Sequence, residues 1–190
     1  IWVALTALIL FGAVGFLDDY SKVRKKQNLG LTARGKLVLQ ILAALIVGVE
    51  LLWMNALGVY STSMNVPFLK NFKPDLLVDA WLHHPWTYPF AFIFFFGFVV
   101  LVLVGATNSV NLTDGLDGLA IGLMIIAAGA MTALSYVSGH AEFARYLELE
   151  RTPGAAELTI FCGAMTGASL GFLRSEEHTS ELQSHSFISY

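Results

Sequence analysis

Cysteine and charge are both scarce in this sequence of 190 residues, and each scarcity excludes a class of structure. The single cysteine, Cys162, excludes an intrachain disulfide or a cysteine metal cluster and is most simply a small packing residue. Charged residues form only 13% of the chain, against 56% hydrophobic residues and a mean hydropathy of +0.66, which excludes an ordinary soluble domain. The composition therefore predicts a membrane protein.

The beginning of the chain lacks both an initiator methionine and the charged region that opens a signal peptide. Ile1 stands directly at the start of a hydrophobic run. We therefore expect the chain to be an internal piece of a longer protein.

Five apolar runs are long enough to be membrane helices, and they predict an all-α polytopic membrane helix bundle of about five transmembrane helices. Between the second and third runs, residues 55–89 hold four of the five prolines, which predicts a loop rather than a continuous helix. A second loop is predicted at residues 138–157. The runs are residues 1–17, 37–53, 90–106, 119–137 and 158–173.

Basic residues are concentrated in the segment between the first and second runs, which holds six of the eleven in the chain. By the positive-inside rule this segment lies in the cytoplasm, and parity then places the inner ends of the first and third runs on the same side. The six are Lys22, Arg24, Lys25, Lys26, Arg34 and Lys36.

Residues 108–120 form an unusually polar stretch between two apolar runs, Asn-Ser-Val-Asn-Leu-Thr-Asp-Gly-Leu-Asp-Gly-Leu-Ala. Ionisable residues at the edge of a bilayer are candidates for function. A helix beginning near Thr113 or Asp114 would place Asp114 and Asp117 on one face of its first turn, where backbone donors attract anions. Helix capping is the alternative, but capping needs only one acid.

A second acidic pair, Asp18 and Asp19, follows the first run directly. Since parity places both clusters at the cytoplasmic rim, we expect their carboxylates to converge there. Clustered carboxylates suit Mg²⁺, which binds through one or two of them together with waters and substrate phosphates. Lys22 could neutralise the rest of a diphosphate. A solvated helix end is the alternative for the pair taken alone.

Both stretches resemble motifs of the polyprenyl-phosphate N-acetylhexosamine-1-phosphate transferases. Residues 18–22, Asp-Asp-Tyr-Ser-Lys, are similar to the family's Asp-Asp-x-x-Lys motif, and residues 108–120 are similar to its Asn-x-x-Asn-x-x-Asp-Gly-x-Asp-Gly-Leu-Ala motif. The residues of the second motif are similar to those found in the branch of the family that makes the first lipid intermediate of peptidoglycan. The likeness covers residues 1 to about 173 in the order and spacing of the spans.

The resemblance implies a bacterial multi-pass protein of the cytoplasmic (inner) membrane, with its active site facing the cytoplasm. It implies Mg²⁺-dependent transfer of phospho-N-acetylmuramoyl-pentapeptide from its UDP-linked donor to undecaprenyl phosphate, with release of UMP. Such a protein serves cell-wall biogenesis, cell shape and cell division. Its partners would be these two substrates and membrane lipid, and a homodimer with a second copy is an open alternative. No nucleic acid is expected. The nearest alternative is a sibling that transfers N-acetylglucosamine-1-phosphate to the same lipid.

Roles carried over from the family fall on eight residues. The resemblance implies three catalytic residues that are also metal ligands: Asp18, Asp19 and Asp114. Asp18 and Asp19 would orient or deprotonate the lipid phosphate or hold Mg²⁺. Asp114 would act as nucleophile or as a ligand of metal and substrate. The sequence leaves direct attack and a covalent aspartyl intermediate both open. The substrate-binding residues implied are Lys22 and Lys36 for phosphate, and Asn108, Asn111 and Asp117 for the nucleotide pocket.

Two rival functions fit the sequence less well than a transferase. A transporter would place its acids near the bilayer midplane and show repeated halves, and neither pattern occurs in this sequence. A purely structural membrane anchor would not need two paired motifs.

The end of the chain departs from the rest. We interpret residues 1–173 as a transmembrane domain that is a fragment of a larger transferase, and residues 174–190, serine-rich and acidic, as a foreign end, with a disordered tail as the alternative. The family's Gly-Asp-Val-Gly-Ser motif and its histidine-rich motif do not follow, and His83 and His84, in a predicted outside loop, are no substitute. We therefore predict that the chain as written is inactive.

Overall fold

The computed structural model describes residues 1–25, 30–64, 66, 72–84, 86–115 and 118–187. Within these ranges the chain forms helices and no strand, apart from one isolated antiparallel bridge between Ser63 and Asp75. The helices are α1 (Trp2–Lys25), α2 (Ala33–Ala56), α3 (Asp79–Leu82), α4 (Tyr88–Thr113), α5 (Leu119–Gly139), α6 (Ala141–Tyr146) and α7 (Ala155–Phe187).

Five of these helices, α1, α2, α4, α5 and α7, are long and apolar enough to cross a membrane. The predicted all-α class with five spans is thereby confirmed, and the protein is an integral multi-pass membrane protein. In the proline-rich region after α2, the described residues contain only the short helix α3 before α4 begins. Pro89 lies in the first turn of α4, where a missing backbone N–H costs no hydrogen bond.

The first helix does not end where its apolar run ends. The prediction that it stops at Leu17 is wrong, because α1 continues through the acidic pair to Lys25. No glycine or proline interrupts residues 16–25. An ion pair between Asp18 and Lys22, one turn apart, and the basic residues of the last turns both favour this extension.

The third span is also longer than its apolar run, since α4 reaches Thr113 rather than ending at Ala106. Its polar residues stay within the helix by hydrogen bonding to carbonyl oxygens one turn earlier. Thr107 Oγ1 donates to the Leu103 carbonyl at 2.7 Å, and Asn108 Nδ2 donates to the Val104 carbonyl at 2.8 Å. Polarity alone therefore does not terminate the helix.

The run predicted from residue 119 begins where α5 begins, but no helix begins near Thr113 or Asp114, so the condition that would place Asp114 in a first helical turn is not met. Asp114 lies in a turn directly after the carboxyl end of α4, and α5 begins only at Leu119. Gly118 precedes α5 with a left-handed φ of 79°, a conformation that favours glycine, and no side chain caps the helix. Asp114 thus neither caps the amino terminus of α5 nor belongs to its first turn.

The chain divides into two compact units, and the division falls within α4. The N-terminal unit, Trp2–Asn108, packs α1 along α2 and has a core of loop and α4 side chains. Gly48 of α2 lies so close to the ring of Phe96 that a Cβ there would stand 2.8 Å from it. The buried core residues are Leu76, Leu77, Ala91, Phe95 and Val99.

The C-terminal unit, which comprises Ser109–Tyr190 together with Ile1, packs α5 lengthwise against α7. The backbones approach closely at Gly139, where a Cβ would lie 2.6 Å from the amide nitrogen of Ala156. Three glycines four residues apart, Gly163, Gly167 and Gly171, predict a close helix contact along α7. Among the described residues, a Cβ at Gly163 would lie 3.9 Å from Thr132, whereas a Cβ at either of the other two would meet nothing within 4 Å.

The last helix, α7, runs on to Phe187. The change of composition at Arg174 therefore does not coincide with the end of a helix. The domain boundary at residue 173 and the foreign origin of residues 174–190 stay predictions.

Candidate active site

The last turns of α1 carry two carboxylates that share one lysine. Lys22 Nζ lies 3.0 Å from Asp18 Oδ2 and 2.8 Å from Asp19 Oδ1. Helical spacing explains the arrangement, because residues three and four positions apart lie on one side of a helix. The Asp-Asp-x-x-Lys motif is therefore a single ion-paired cluster.

The two carboxylates differ sharply in environment. The Asp18 side chain is only 12% exposed, whereas that of Asp19 is 76% exposed. Asp18 Oδ1 accepts a hydrogen bond of 2.8 Å from the backbone N–H of Leu31, and Lys36 Nζ lies 3.8 Å from Asp18 Oδ2. Asp18 thus joins α1 to the segment that leads into α2, while Asp19 presents its carboxylate outward.

Gly30 allows this closure, and the sequence identifies it only as part of a turn. A Cβ at Gly30 would collide with the carboxylate of Asp18 and would lie 2.9 Å from both the Asp18 carbonyl oxygen and Lys22 Cε. A backbone carbonyl cannot move aside as a flexible side chain can. Only glycine therefore fits here without displacing Asp18 and Lys22.

Thr32 begins the helix that carries the second lysine. Its Oγ1 accepts a hydrogen bond of 3.2 Å from the backbone N–H of Gly35, which caps the amino terminus of α2. Lys36, in the first turns of α2, is thereby held near Asp18. Four of the predicted site residues, Asp18, Asp19, Lys22 and Lys36, come together in this way.

Asn108 has a partner that sequence reasoning missed. Its Nδ2 donates a hydrogen bond of 2.9 Å to Oε1 of Gln40, which is buried in α2 with 1% of its surface exposed. From the sequence, Gln40 is only a polar interruption in an apolar span. The signal that could have found it is that an amide at such a position must find a partner.

The remaining predicted residues belong to the C-terminal unit. Asn111 and Asp114 are exposed, at the end of α4 and in the turn after it. Asp117 lies outside the described residues. The predicted convergence of Asp114 with the acidic pair of α1 stays a prediction.

Magnesium fits part of the predicted ligand set. Within the ranges that the structure describes, no three His, Cys, Asp or Glu side chains form a metal cluster. Mg²⁺ needs only one or two carboxylates, however, because it retains waters and binds substrate phosphates. The Asp19 carboxylate is 76% exposed and suits that coordination, although its Oδ1 lies 2.8 Å from Lys22, whereas both oxygens of the less exposed Asp18 face donors, Leu31 N–H and Lys22.

Comparison with known proteins agrees with the motifs. The family model described as glycosyl transferase family 4 matches residues 1–181. Its match extends into the segment that begins at residue 174.

Curated relatives of the chain carry the name phospho-N-acetylmuramoyl-pentapeptide-transferase. One from Solibacter usitatus is 56% identical over 182 residues, and one from Koribacter versatilis is 54% identical over 182 residues; in both cases 96% of this chain and 48% of the relative are covered. One from Maridesulfovibrio salexigens is 44% identical, covering 96% of this chain and 46% of the relative. The chain thus spans about half the length of these relatives. With a family model that matches nearly its whole length, this chain belongs to glycosyl transferase family 4.

Proposed function

We propose that the protein containing this chain transfers phospho-N-acetylmuramoyl-pentapeptide from its UDP-linked donor to undecaprenyl phosphate and releases UMP. The observation that carries the proposal is the cluster at the end of α1, where Lys22 bridges Asp18 and Asp19 and Lys36 stands nearby. Family membership and the names of the relatives support it. Together they favour phosphosugar transfer at a membrane surface.

The reaction is a phosphoryl transfer at the β-phosphorus of the donor. A bond forms between an oxygen of the lipid phosphate and that phosphorus, and the bond from the β-phosphorus to the oxygen bridging to the α-phosphorus breaks. The electron pair leaves with UMP. Positioning and stabilisation of negative charge dominate such a step.

Each residue of the cluster has a chemical task in this proposal. Asp19, with its outward carboxylate, orients or deprotonates the lipid phosphate, and Asp18 holds Lys22 and the loop before α2 in place. Lys22 and Lys36 offer ammonium groups to the phosphate oxygens. Asn108, Asn111 and Asp117 serve the nucleotide, and Asp114 acts as nucleophile or as a ligand of substrate or metal.

Magnesium completes the proposed site. Asp18, Asp19 and Asp114 are the residues proposed to hold it, and Mg²⁺ would neutralise charge on the diphosphate. The cytoplasmic orientation of the site belongs to the same proposal and rests on the six basic residues between Lys22 and Lys36.

Transfer assays on a full-length transferase carrying this segment test the proposal. The purified protein, with Mg²⁺ and undecaprenyl phosphate, is offered either UDP-N-acetylmuramoyl-pentapeptide or UDP-N-acetylglucosamine, and UMP and lipid-linked product are measured. We expect turnover with the pentapeptide donor only. Turnover with UDP-N-acetylglucosamine alone would assign the protein to the sibling activity, and turnover with neither would refute the proposal.

A further inference from the structure

Gln40 is a buried polar residue for which the proposed mechanism has so far given no role. It lies in the membrane-spanning helix α2 with 1% of its surface exposed. A side-chain amide in such a place is costly unless it is hydrogen-bonded. Its Oε1 accepts from Asn108 Nδ2, but its Nε2 has no hydrogen-bond partner among the described residues.

The direction of this hydrogen bond follows from chemistry. The Val104 carbonyl can only accept, so Asn108 must present Nδ2 to it, at 2.8 Å. The same Nδ2 lies 2.9 Å from Gln40, so Gln40 must present its oxygen there rather than its nitrogen. A flip of either amide would set two acceptors or two donors against each other.

Both hydrogens of Asn108 Nδ2 are used within the protein in this arrangement. The carboxamide is therefore held with Oδ1 as its remaining polar atom, and Oδ1 is an acceptor. A hydrogen bond to Val104 alone would fix one hydrogen and leave the side chain free to rotate about that bond. Gln40, which lies in a different helix, accepts the second hydrogen and so prevents this rotation.

We propose that Gln40 is a positioning residue that locks the Asn108 carboxamide with Oδ1 toward the ligand. Asn108 then selects a hydrogen-bond donor on the nucleotide, such as an imide N–H or a hydroxyl, rather than a phosphate oxygen. This inference rests on the proposed function and deepens it, because it assigns the polarity of one nucleotide contact.

Three variants of the full-length transferase carrying this segment separate positioning from structure. Gln40→Met has nearly the same length but lacks the acceptor, whereas Gln40→Glu keeps an oxygen for Asn108 and lacks the Nε2 donor. Leu42→Met, at an exposed position of the same helix, is the matched control. The measurements are KM and kcat for the UDP-linked donor, the Kd of UMP and the thermal midpoint.

We expect Gln40→Met to raise KM and the Kd of UMP about tenfold, as the loss of one well-placed hydrogen bond does, with kcat changed far less. Gln40→Glu should restore both constants to near the wild-type values, and Leu42→Met should leave them unchanged. In combination with Asn108→Ala, Gln40→Met should cost nothing further, since it acts only through Asn108.

With an active wild type, three results would overturn the inference. The effects of Gln40→Met and Asn108→Ala on KM and on the Kd of UMP could add, or Gln40→Glu could restore these constants no better than Gln40→Met. The third such result is a variant Gln40→Met in which only the thermal midpoint changes. If the wild type neither transfers phosphosugar nor binds UMP, the proposed function fails and the inference falls with it. The two failures are therefore distinguishable.

Discussion

The backbone N–H of Leu31 donates a hydrogen bond of 2.8 Å to Oδ1 of Asp18, thirteen residues earlier in the chain. This hydrogen bond attaches the segment that leads into α2 to Asp18, near the end of α1. It also explains why neighbouring aspartates have different surroundings. Asp18 is held inside the protein by Leu31 and Lys22, and Asp19 is left facing outward.

Replacing Gly30 with alanine should disturb this anchor. The new Cβ would collide with the Asp18 carboxylate and with Lys22 Cε, and crowding of this kind costs about 1–3 kcal/mol of unfolding free energy. We expect a lower thermal midpoint and a large loss of transfer activity in the full-length transferase. Gly12→Ala, in α1 with open space around it, is the control. Equal behaviour of the two variants would contradict the close packing at Gly30.

Alanine variants of the two aspartates should separate stability from activity. Asp18→Ala removes the acceptor of the part-buried hydrogen bond from Leu31 and the ion pairs of a carboxylate that is only 12% exposed, which together cost about 1–3 kcal/mol. Asp19→Ala removes only an exposed ion pair, worth about 0–1 kcal/mol. We therefore expect Asp18→Ala alone to lower the thermal midpoint clearly, while both variants lose transfer activity. Full activity of Asp19→Ala would remove this residue from the proposed site.

Asp114→Asn should abolish transfer without destabilising the protein. Asp114 is exposed and does not cap α5, whose amino terminus follows Gly118 without a side-chain cap. Substitutions at such surface positions change stability by about 0.5 kcal/mol or less. Thermal unfolding and transfer should be measured on the same preparation. A large fall in the thermal midpoint together with retained activity would indicate a structural role instead.

Hydrophobic runs were sufficient to predict the number of membrane-spanning helices among the described residues, because a bilayer requires long apolar helices whatever their packing, but not the short helices α3 and α6. They could not predict where α1 and α4 end. Asp18 and Lys22 pair along α1, and Asn108 bonds back to a carbonyl of α4, so in both places polar side chains extend a helix beyond its apolar part.

The motifs predicted which residues of the α1 cluster come together, because helix spacing fixes Asp18, Asp19 and Lys22 relative to one another. They could not predict the contacts between segments distant in sequence. The backbone of Leu31 binds Asp18, the carboxylate of Asp18 packs against Gly30, and Gln40 is buried against Asn108. None of these contacts is visible in residue type alone.

The most direct test of the account is whether the acidic pair of α1 and the Asp114 turn lie at one membrane face. Nitroxide labels at Tyr20→Cys and Leu112→Cys, exposed neighbours of Asp19 and Asp114, leave the acids intact when the native cysteines, including Cys162, are replaced. Pulsed electron paramagnetic resonance on the full-length transferase in lipid nanodiscs then measures their separation. The account predicts a separation well below the hydrocarbon thickness of about 30 Å. A separation at or above that thickness, which opposite membrane faces would require, would contradict it.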